Sequence, residues 1–299
     1  MAKHPPTKQS FVFDNNRNMF QRSWGIYTSG GLVEAPKIYL RSANNVAVEL
    51  FCYEVQIEQD CNKLAGYLNL IHQTGVSYYR FVTSEGKEIR FTIDGKAYKT
   101  VGEYCSDDFR FYYWLRHLCV AILLKDNAAI VRLCQITKEH FRNVPMGNNE
   151  YTDSIMDFLG AVLGDAEEGT SLRTTIMAAL EKSGIEFKSQ DVKDYALLIL
   201  FPFVKLMILT VTNADEDEYR EAWLDAVKSH KEYWNSCKRL RDEHDGWISF
   251  PITAVSSLMY DQKGFKLPKK SPYVPEWLVY GEFEQPPSVA TDFYEGEIE

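Results

Sequence analysis

The chain has 299 residues, of which 45% are hydrophobic and 14% aromatic, a composition that supports a packed core and excludes a disordered chain. Its 33 basic and 42 acidic residues leave a formal net charge of -9, which argues against direct nucleic-acid binding because phosphates require a basic surface. A basic protein partner suits such a chain better, although mild acidity is also common among cytosolic proteins.

Cysteine usage and the terminal segments indicate a cytoplasmic protein. The six cysteines form no C-x-x-C pair and most have apolar neighbours, which predicts free thiols rather than disulfides or a zinc site. The start, MAKHPPTKQSF, lacks the apolar core of a secretory signal. The longest apolar run, 196–211, contains Pro202 and Lys205 and is shorter than the ~20 residues of a membrane span. We expect a buried helix pair or one kinked core helix there.

The first 44 residues are rich in Pro, Asn, Ser and Gly, which predicts an irregular N-terminal arm or a short strand pair on the core. A single helical domain is expected over 45–283. Asn44 and Asn45 can cap its first helix, over 46–73, and Gly75 can end that helix.

Period-two alternation replaces helical spacing between residues 76 and 101. Tyr79, Phe81 and Thr83 alternate with polar residues, and Glu85-Gly86 and Asp94-Gly95 are typical turn dipeptides. We therefore predict a small β-hairpin or three-stranded ribbon inserted between helices.

Helical spacing then returns and continues almost to the C-terminus. The predicted helices run from Ser106 to Leu124, from a cap at Asp126, and over about 153–163, 171–182, 192–211, 216–242 and 252–262. Prolines after Gly264 exclude further long helices. The predicted fold is mainly α, a multi-helix bundle or irregular helical array with a small inserted β-hairpin or ribbon, followed by an acidic flexible tail over 284–299.

The motifs that could carry chemistry are weak, and we predict no catalytic residue, metal ligand or cofactor. GDAEEGTS, residues 164–171, has the glycines of a phosphate loop but lacks its lysine. DEHDG, residues 242–246, crowds carboxylates around His244, but consecutive side chains at a helix end point apart and no second His lies at ligand spacing. A solvated helix terminus is the preferred interpretation.

Acidic residues are concentrated in two places. Residues 271–299 contain seven carboxylates and no Lys or Arg, and a second cluster starts the helix near residue 216, where Asn213 and Glu216 have capping-box-like spacing. The cluster is either a well-capped, solvated helix start or part of an acidic binding face. The candidate partner-binding residues are Asp215, Glu216, Asp217, Glu218, Asp292, Glu295 and Glu297.

Two stretches resemble the immunity protein 49 family of bacterial polymorphic toxin systems. In the first, FYYWLRHLCVAILLKDNAAIVRLCQI over 111–136, the matching residues are Trp114, Lys125, Asp126 and Leu133. In the second, SFPITAVSSLMYDQKGFKLPKKSPYVPEWLV over 249–279, they are Tyr260, Asp261, Gly264, Ser271, Tyr273, Pro275 and Leu278. We predict that the Tyr273–Leu278 phrase packs the chain end onto the last long helix.

The resemblance implies a mostly helical antidote, encoded beside a toxin gene, that binds its toxin and performs no catalysis. Toxins paired with this family are often nucleases, whose basic clefts would suit an acidic antidote, and type VI secretion is one route for their delivery between cells. Two alternatives remain open. One is a helical scaffold that binds peptides in a groove, and the other is a hydrolase that uses Asp242, Glu243, His244 and Asp245.

Overall fold

The computed structural model of the protein describes residues 10–104, 110–141, 149–164 and 171–289. Its helices are, in chain order, α1 Ser10–Ile26, α2 Leu32–Glu34, α3 Pro36–Glu54, α4 Cys61–Thr83, α5 Phe111–Leu123, α6 Asn127–Cys134, α7 Glu150–Leu163, α8 Leu172–Lys182, α9 Gln190–Tyr195, α10 Phe201–Val211, α11 Glu216–Asn235, α12 Lys238–Asp242, α13 Phe250–Lys263 and α14 Glu276–Tyr280. Short π-helical segments span Tyr27–Gly31 and Ala196–Leu200, and 3-10 turns span Lys138–Phe141 and His244–Gly246. The strands β1 Glu88–Ile93 and β2 Lys96–Val101 pair antiparallel, so the predicted mainly α class with a small hairpin is confirmed.

Helix α5 lies at the centre of the hydrophobic core and packs against α4, α6 and α13. It is buried along almost its whole length because FYYWLRHLCVAIL offers little polar surface, and Arg116 and His117 are its basic residues. Around it, α3 pairs with α4, α7 with α8, and α10 with α11 and α13. The free thiols of Cys52 and Cys119 are buried in this core, as predicted.

The prediction of an irregular N-terminal arm is wrong for the described residues. Helix α1 begins at Ser10, and α3 begins at Pro36, whose fixed φ suits the first turn of a helix. A salt bridge between Arg17 and Glu54, 2.7 Å long, ties α1 to α3. Asn44 does not cap a helix but lies inside α3, where its amide donates to the carbonyl of Ile71 at 3.0 Å. The polar composition of this segment did not predict its helices, because they are stabilised by contacts between residues that are distant in sequence.

The hairpin prediction is confirmed at 88–101 and wrong at 76–83. Asp94 and Gly95 have φ of 52° and 72°, and a type I′ hairpin turn requires such positive values at both positions. Residues 76–83 instead belong to α4, which continues through Gly75. Every residue from 74 to 82 is buried, so this part of α4 has no polar face and shows no helical periodicity in the sequence.

The apolar run forms one helical stretch, Gln190–Val211, with the π-helical segment just before Pro202. Of the two predicted arrangements, a helix pair or one helix, the structure shows one helical stretch, and its π-helical segment lies where Pro202 lacks the backbone donor of a regular turn. By length and apolarity this is the one helix among the described residues that could cross a membrane, and 44% of its most apolar window is buried inside the protein. Core helices meet the same criteria, so this is weak evidence for a span.

The C-terminal segment, residues 265–289, returns across the core after Gly264 ends α13 with φ of 72°. The backbone N–H of Ser249 donates to the carbonyl of Tyr273 at 2.8 Å, and the side chains of Tyr273 and Leu278 are buried. The predicted packing of this phrase on the last long helix is therefore confirmed. Residues 284–289 also lie against the protein, while the rest of the expected tail, 290–299, lies outside the described residues.

Candidate partner-binding surface

Helix α11 begins with a capping box formed by two of the candidate residues. Asp215 accepts a hydrogen bond from the backbone N–H of Glu218 at 2.9 Å, and the Glu218 carboxylate accepts one from the backbone N–H of Asp215 at 3.1 Å. The predicted box of Asn213 and Glu216 is therefore wrong by two residues. Since Asp and Asn cap helices equally well, a run of consecutive acidic residues does not define the frame.

The structure brings the four acidic residues of the helix start together with two more on the same exposed side. We define the acidic face as Asp215, Glu216, Asp217, Glu218, Glu221 and Asp225, all exposed. Arg220 is the one cation between residues 215 and 225, and it lies 3.1 Å from Asp217. The opposite side of α11, which includes Tyr219, Trp223 and Trp234, is buried.

Sequence reasoning missed Glu221 and Asp225. The helical spacing could have found them, because Glu221 lies one turn after Asp217 and Asp225 lies one turn after Glu221. Their position is informative because the attraction of a helix N-terminus for carboxylates fades within the first turn. The dipole therefore accounts for Glu216, Asp217 and Glu218 but not for Glu221 and Asp225. These two extend the negative surface beyond what helix capping requires.

Apolar side chains are exposed on and near this helix. Leu224 lies between Glu221 and Asp225 in the chain and is 42% exposed, while Val192 and Leu197 are 40% and 38% exposed in a helical stretch that packs on α11. Protein interfaces combine an apolar centre with a polar rim. Leu224 thus places apolar contact area within the acidic face, whereas Val192 lies toward the other end of α11, since Asp191 next to it is 3.9 Å from Arg239.

The tail candidates Asp292, Glu295 and Glu297 lie outside the described residues. Their membership in one binding surface with α11 stays a prediction.

The residues that carry the family resemblance contact one another in the folded protein. Lys125, at a left-handed φ of 53°, forms a 2.8 Å salt bridge with Asp261, so the two similar stretches touch directly. The ring of Tyr260 packs edge-on against Tyr280 with centroids 4.8 Å apart, and Trp114 donates to the carbonyl of Leu133 at 2.9 Å. These contacts hold the α5–α6 turn and the C-terminal segment together, which indicates a structural role for the shared residues.

Asp126, in the same turn, connects three distant parts of the chain. Its carboxylate accepts hydrogen bonds from His72 at 2.9 Å, the Ala129 N–H at 3.1 Å, the Ser288 hydroxyl at 2.6 Å and the Val289 N–H at 2.8 Å. Burial alone would raise the pKa of Asp126, but these hydrogen bonds outweigh it and hold the pKa well below its usual value. Asp126 is thus ionised in the folded protein and anchors residues 288–289.

The carboxylate–His cluster at 242–245 does not form the arrangement that a hydrolase needs. Asp245 lies 3.4 Å from Arg116 of α5, and His244 lies 3.6 Å from Asp245, longer than a hydrogen bond. No group of three or more His, Cys, Asp or Glu side chains in the described part of the chain could hold a metal ion. The contact with Arg116 shows that Asp245 belongs partly to the core rather than to a fully solvated helix terminus.

Sequence reasoning also missed Arg116 itself, the residue that compensates Asp245. The sequence feature that could have revealed it is an arginine in the middle of a largely apolar helix, because a buried arginine needs a partner.

Comparison with known proteins supports the family resemblance. The model of a family described as immunity protein 49 matches residues 58–278, most of the chain and both of the stretches whose residues meet at Lys125 and Asp261. The match places the protein among the immunity proteins, a class with a non-catalytic role. The chain belongs to the immunity protein 49 family, and α1, α2 and α3 precede the matched region. No curated protein and no solved structure matched the chain.

Proposed function

We propose that this protein binds a cognate antibacterial toxin domain, a nuclease, in the cytoplasm and neutralises it by occluding the active site. Family membership supports an immunity role. The acidic face of α11 is the observation that supports a nuclease as the partner and occlusion of its active site as the mode of inhibition. A nuclease binds phosphates through a basic cleft, and opposite charges favour contact between that cleft and the acidic face. Delivery of the toxin by the type VI secretion system of a neighbouring cell is part of the same proposal.

The anchoring of α11 supports the acidic face as the main contact. Its capping box and buried aromatic side anchor α11, so its carboxylates are held without a further loss of chain entropy on binding. Opposite charges would accelerate encounter, while apolar contacts such as Leu224 would supply most of the binding free energy. We propose that the tail residues Asp292, Glu295 and Glu297 add long-range attraction.

The roles within the face divide between folding and binding. Asp215 and Glu218 form the capping box, so their replacement would change stability as well as charge. Glu221 and Asp225 lie one helical turn apart, beyond the first turn of α11, and have no part in that box. They are therefore the residues with which binding can be tested separately from folding.

Co-expression with the toxin encoded by the adjacent gene tests the proposal. Cells that carry the toxin should survive with the wild-type protein, and purified protein should inhibit the toxin's nuclease activity. Death of the cells despite wild-type expression would disprove the immunity role for that toxin. If the cells survive but the toxin alone does not cleave nucleic acid, the immunity role stands and the proposal that the toxin is a nuclease is wrong.

Charge reversal then tests the surface. The double variant Glu221→Lys, Asp225→Lys should bind the toxin at least about tenfold more weakly, mainly through slower association. A matched control is Glu181→Lys, Glu186→Lys, which makes the same charge change at exposed positions outside α11. Equal affinities of the two variants, with unchanged melting temperatures, would show that the acidic face is not the contact.

A further inference from the structure

The hairpin formed by β1 and β2 leaves the outer edge of β2 unused. In an antiparallel ladder, successive residues direct their N–H and C=O groups alternately toward the partner strand and away from it. Just beyond the two strands, Gly102 donates to the carbonyl of Lys87 at 2.8 Å, so the even-numbered residues of β2 face β1. Ala97, Lys99 and Val101 therefore direct their backbone groups away from β1.

This outer edge of β2 is open to a partner strand. In the described part of the chain, the backbone groups of Ala97, Lys99 and Val101 make no hydrogen bond outside the hairpin, and all three residues are exposed. The outer side of β1 differs, because the guanidinium of Arg80 in α4 donates to the carbonyl of Arg90. Unpaired strand edges are templates for another strand, and β2 has neither a proline nor a bulge that would prevent pairing.

The side chains at this edge suit a second copy of the same strand. Val101 is 57% exposed, and Val33 of α2, a helix that contacts β2, is 55% exposed, so apolar area lies at and near the edge. Lysine often protects an edge strand by its charge. The ammonium group of Lys99, however, lies 2.6 Å from the Glu88 carboxylate of β1, so its charge is compensated within the hairpin. With no net charge at its centre, this edge is complementary to itself rather than to a strongly basic or acidic strand.

We propose that the protein forms a homodimer in which the β2 strands of two copies pair antiparallel about a twofold axis and build one four-stranded sheet. The register places Lys99 of each copy opposite Val101 of the other and Thr100 opposite itself. The two Lys99 side chains then do not face each other directly, and the aliphatic stem of each covers Val101 of the other copy. The central pair of threonines is a favourable cross-strand combination. Each Lys99–Val101 pair exchanges two backbone hydrogen bonds, so the interface contains about four.

Analytical ultracentrifugation of the full chain tests the dimer. The wild type should shift from monomer to dimer between about 1 µM and about 200 µM, the weak association expected of a small interface. Lys99→Pro removes an outward N–H that the hairpin ladder does not use, and it should weaken dimerisation at least about tenfold. The matched control Lys99→Thr keeps that N–H and should dimerise within about threefold of the wild type. A wild type that stays monomeric, or equal dimerisation of the two variants with unchanged circular dichroism, would overturn the proposal.

A cysteine on the twofold axis tests the register without a proline. In a background with Cys105→Ser and Cys237→Ser, the variant Thr100→Cys should form a disulfide-linked dimer on mild oxidation, because opposed residues of this pair type have Cα atoms about 4.5 Å apart. Lys96→Cys, an exposed position on the same strand, should not, since its two copies would lie about 27 Å apart. Equal cross-linking at the two positions would overturn the proposed pairing. A monomeric wild type whose toxin binding is weakened by Lys99→Pro would assign the edge to the toxin and disprove the homodimer.

Discussion

Single residues show where local sequence rules reach their limit. Gly75 looked like a helix stop because glycine commonly ends helices, yet α4 continues through it. The structure gives a different reason for glycine at this position: the His117 ring of α5 packs directly on its backbone. That contact joins residues of two different helices, so no reading of neighbouring residues could have predicted it.

Replacing Gly75 by Ala should destabilise the protein. A Cβ at this position would lie 2.1 Å from Nδ1 of His117, and the buried ring has little room to move because it packs against Tyr79. Overpacking of this kind costs about 1–3 kcal/mol in the free energy of unfolding. The measurement is urea-induced unfolding followed by far-UV circular dichroism.

Gly66→Ala is the matched control in the same helix, because a Cβ there meets nothing within 4 Å. It should stabilise the protein by about 0.5–1 kcal/mol, the ordinary gain of Ala over Gly within a helix. Changes of the same sign in both variants would contradict the close packing of Gly75 against His117.

At the scale of elements, the sequence predicted α11 well and the second half of α4 poorly. Helix α11 was found because its buried and exposed residues alternate at helical spacing, whereas the buried second half of α4 was mistaken for a strand. The cap at Asp126 was predicted correctly from local sequence. Its bonds to His72 and Ser288 were not, because those residues lie 54 and 162 positions away.

The anchoring of the C-terminal segment by Asp126 should make stability depend on pH. Because the folded-state pKa of Asp126 is depressed, its contribution is fully present above its unfolded pKa of about 4 and is lost as the pH falls toward the folded value. At pH 7, Asp126→Asn should reduce the free energy of unfolding by about 2–3 kcal/mol, since buried donors lose their charged acceptor.

The difference between wild type and Asp126→Asn in urea unfolding should therefore be largest near pH 7 and should shrink between pH 4 and pH 2. Asp261→Asn is the control, because its salt bridge with Lys125 is partly exposed and is expected to contribute less than about 1 kcal/mol. A difference that stays constant with pH would rule out the ionised Asp126 as the anchor.

For the whole molecule, the sequence was enough to predict the fold class and the family. It predicted the arrangement of charged residues only in part. Helical spacing indicated a mainly α protein, and the stretches around Lys125 and Asp261 indicated the family. The acidic start of α11 was visible because four carboxylates are consecutive. The contact of Arg116 with Asp245 was not, since these residues are 129 positions apart and meet only in the folded chain.

The charge of the whole molecule leads to a prediction about toxin association. Residues 290–299 contribute Asp292, Glu295, Glu297 and Glu299 to a net charge of -9 and lie beyond the segment anchored at Val289. Removal of these ten residues should slow association with a basic toxin by a few-fold at low ionic strength, with little change in the dissociation rate.

The effect should vanish near 1 M salt, where the screening length falls to about 3 Å. A full-length variant with all four carboxylates replaced by their amides separates charge from chain length and should associate as slowly as the truncated protein. The measurement is stopped-flow association over a range of salt concentrations. A truncated protein that dissociates faster, while the amide variant associates at the wild-type rate, would instead assign the tail a direct contact with the toxin that does not depend on its charge.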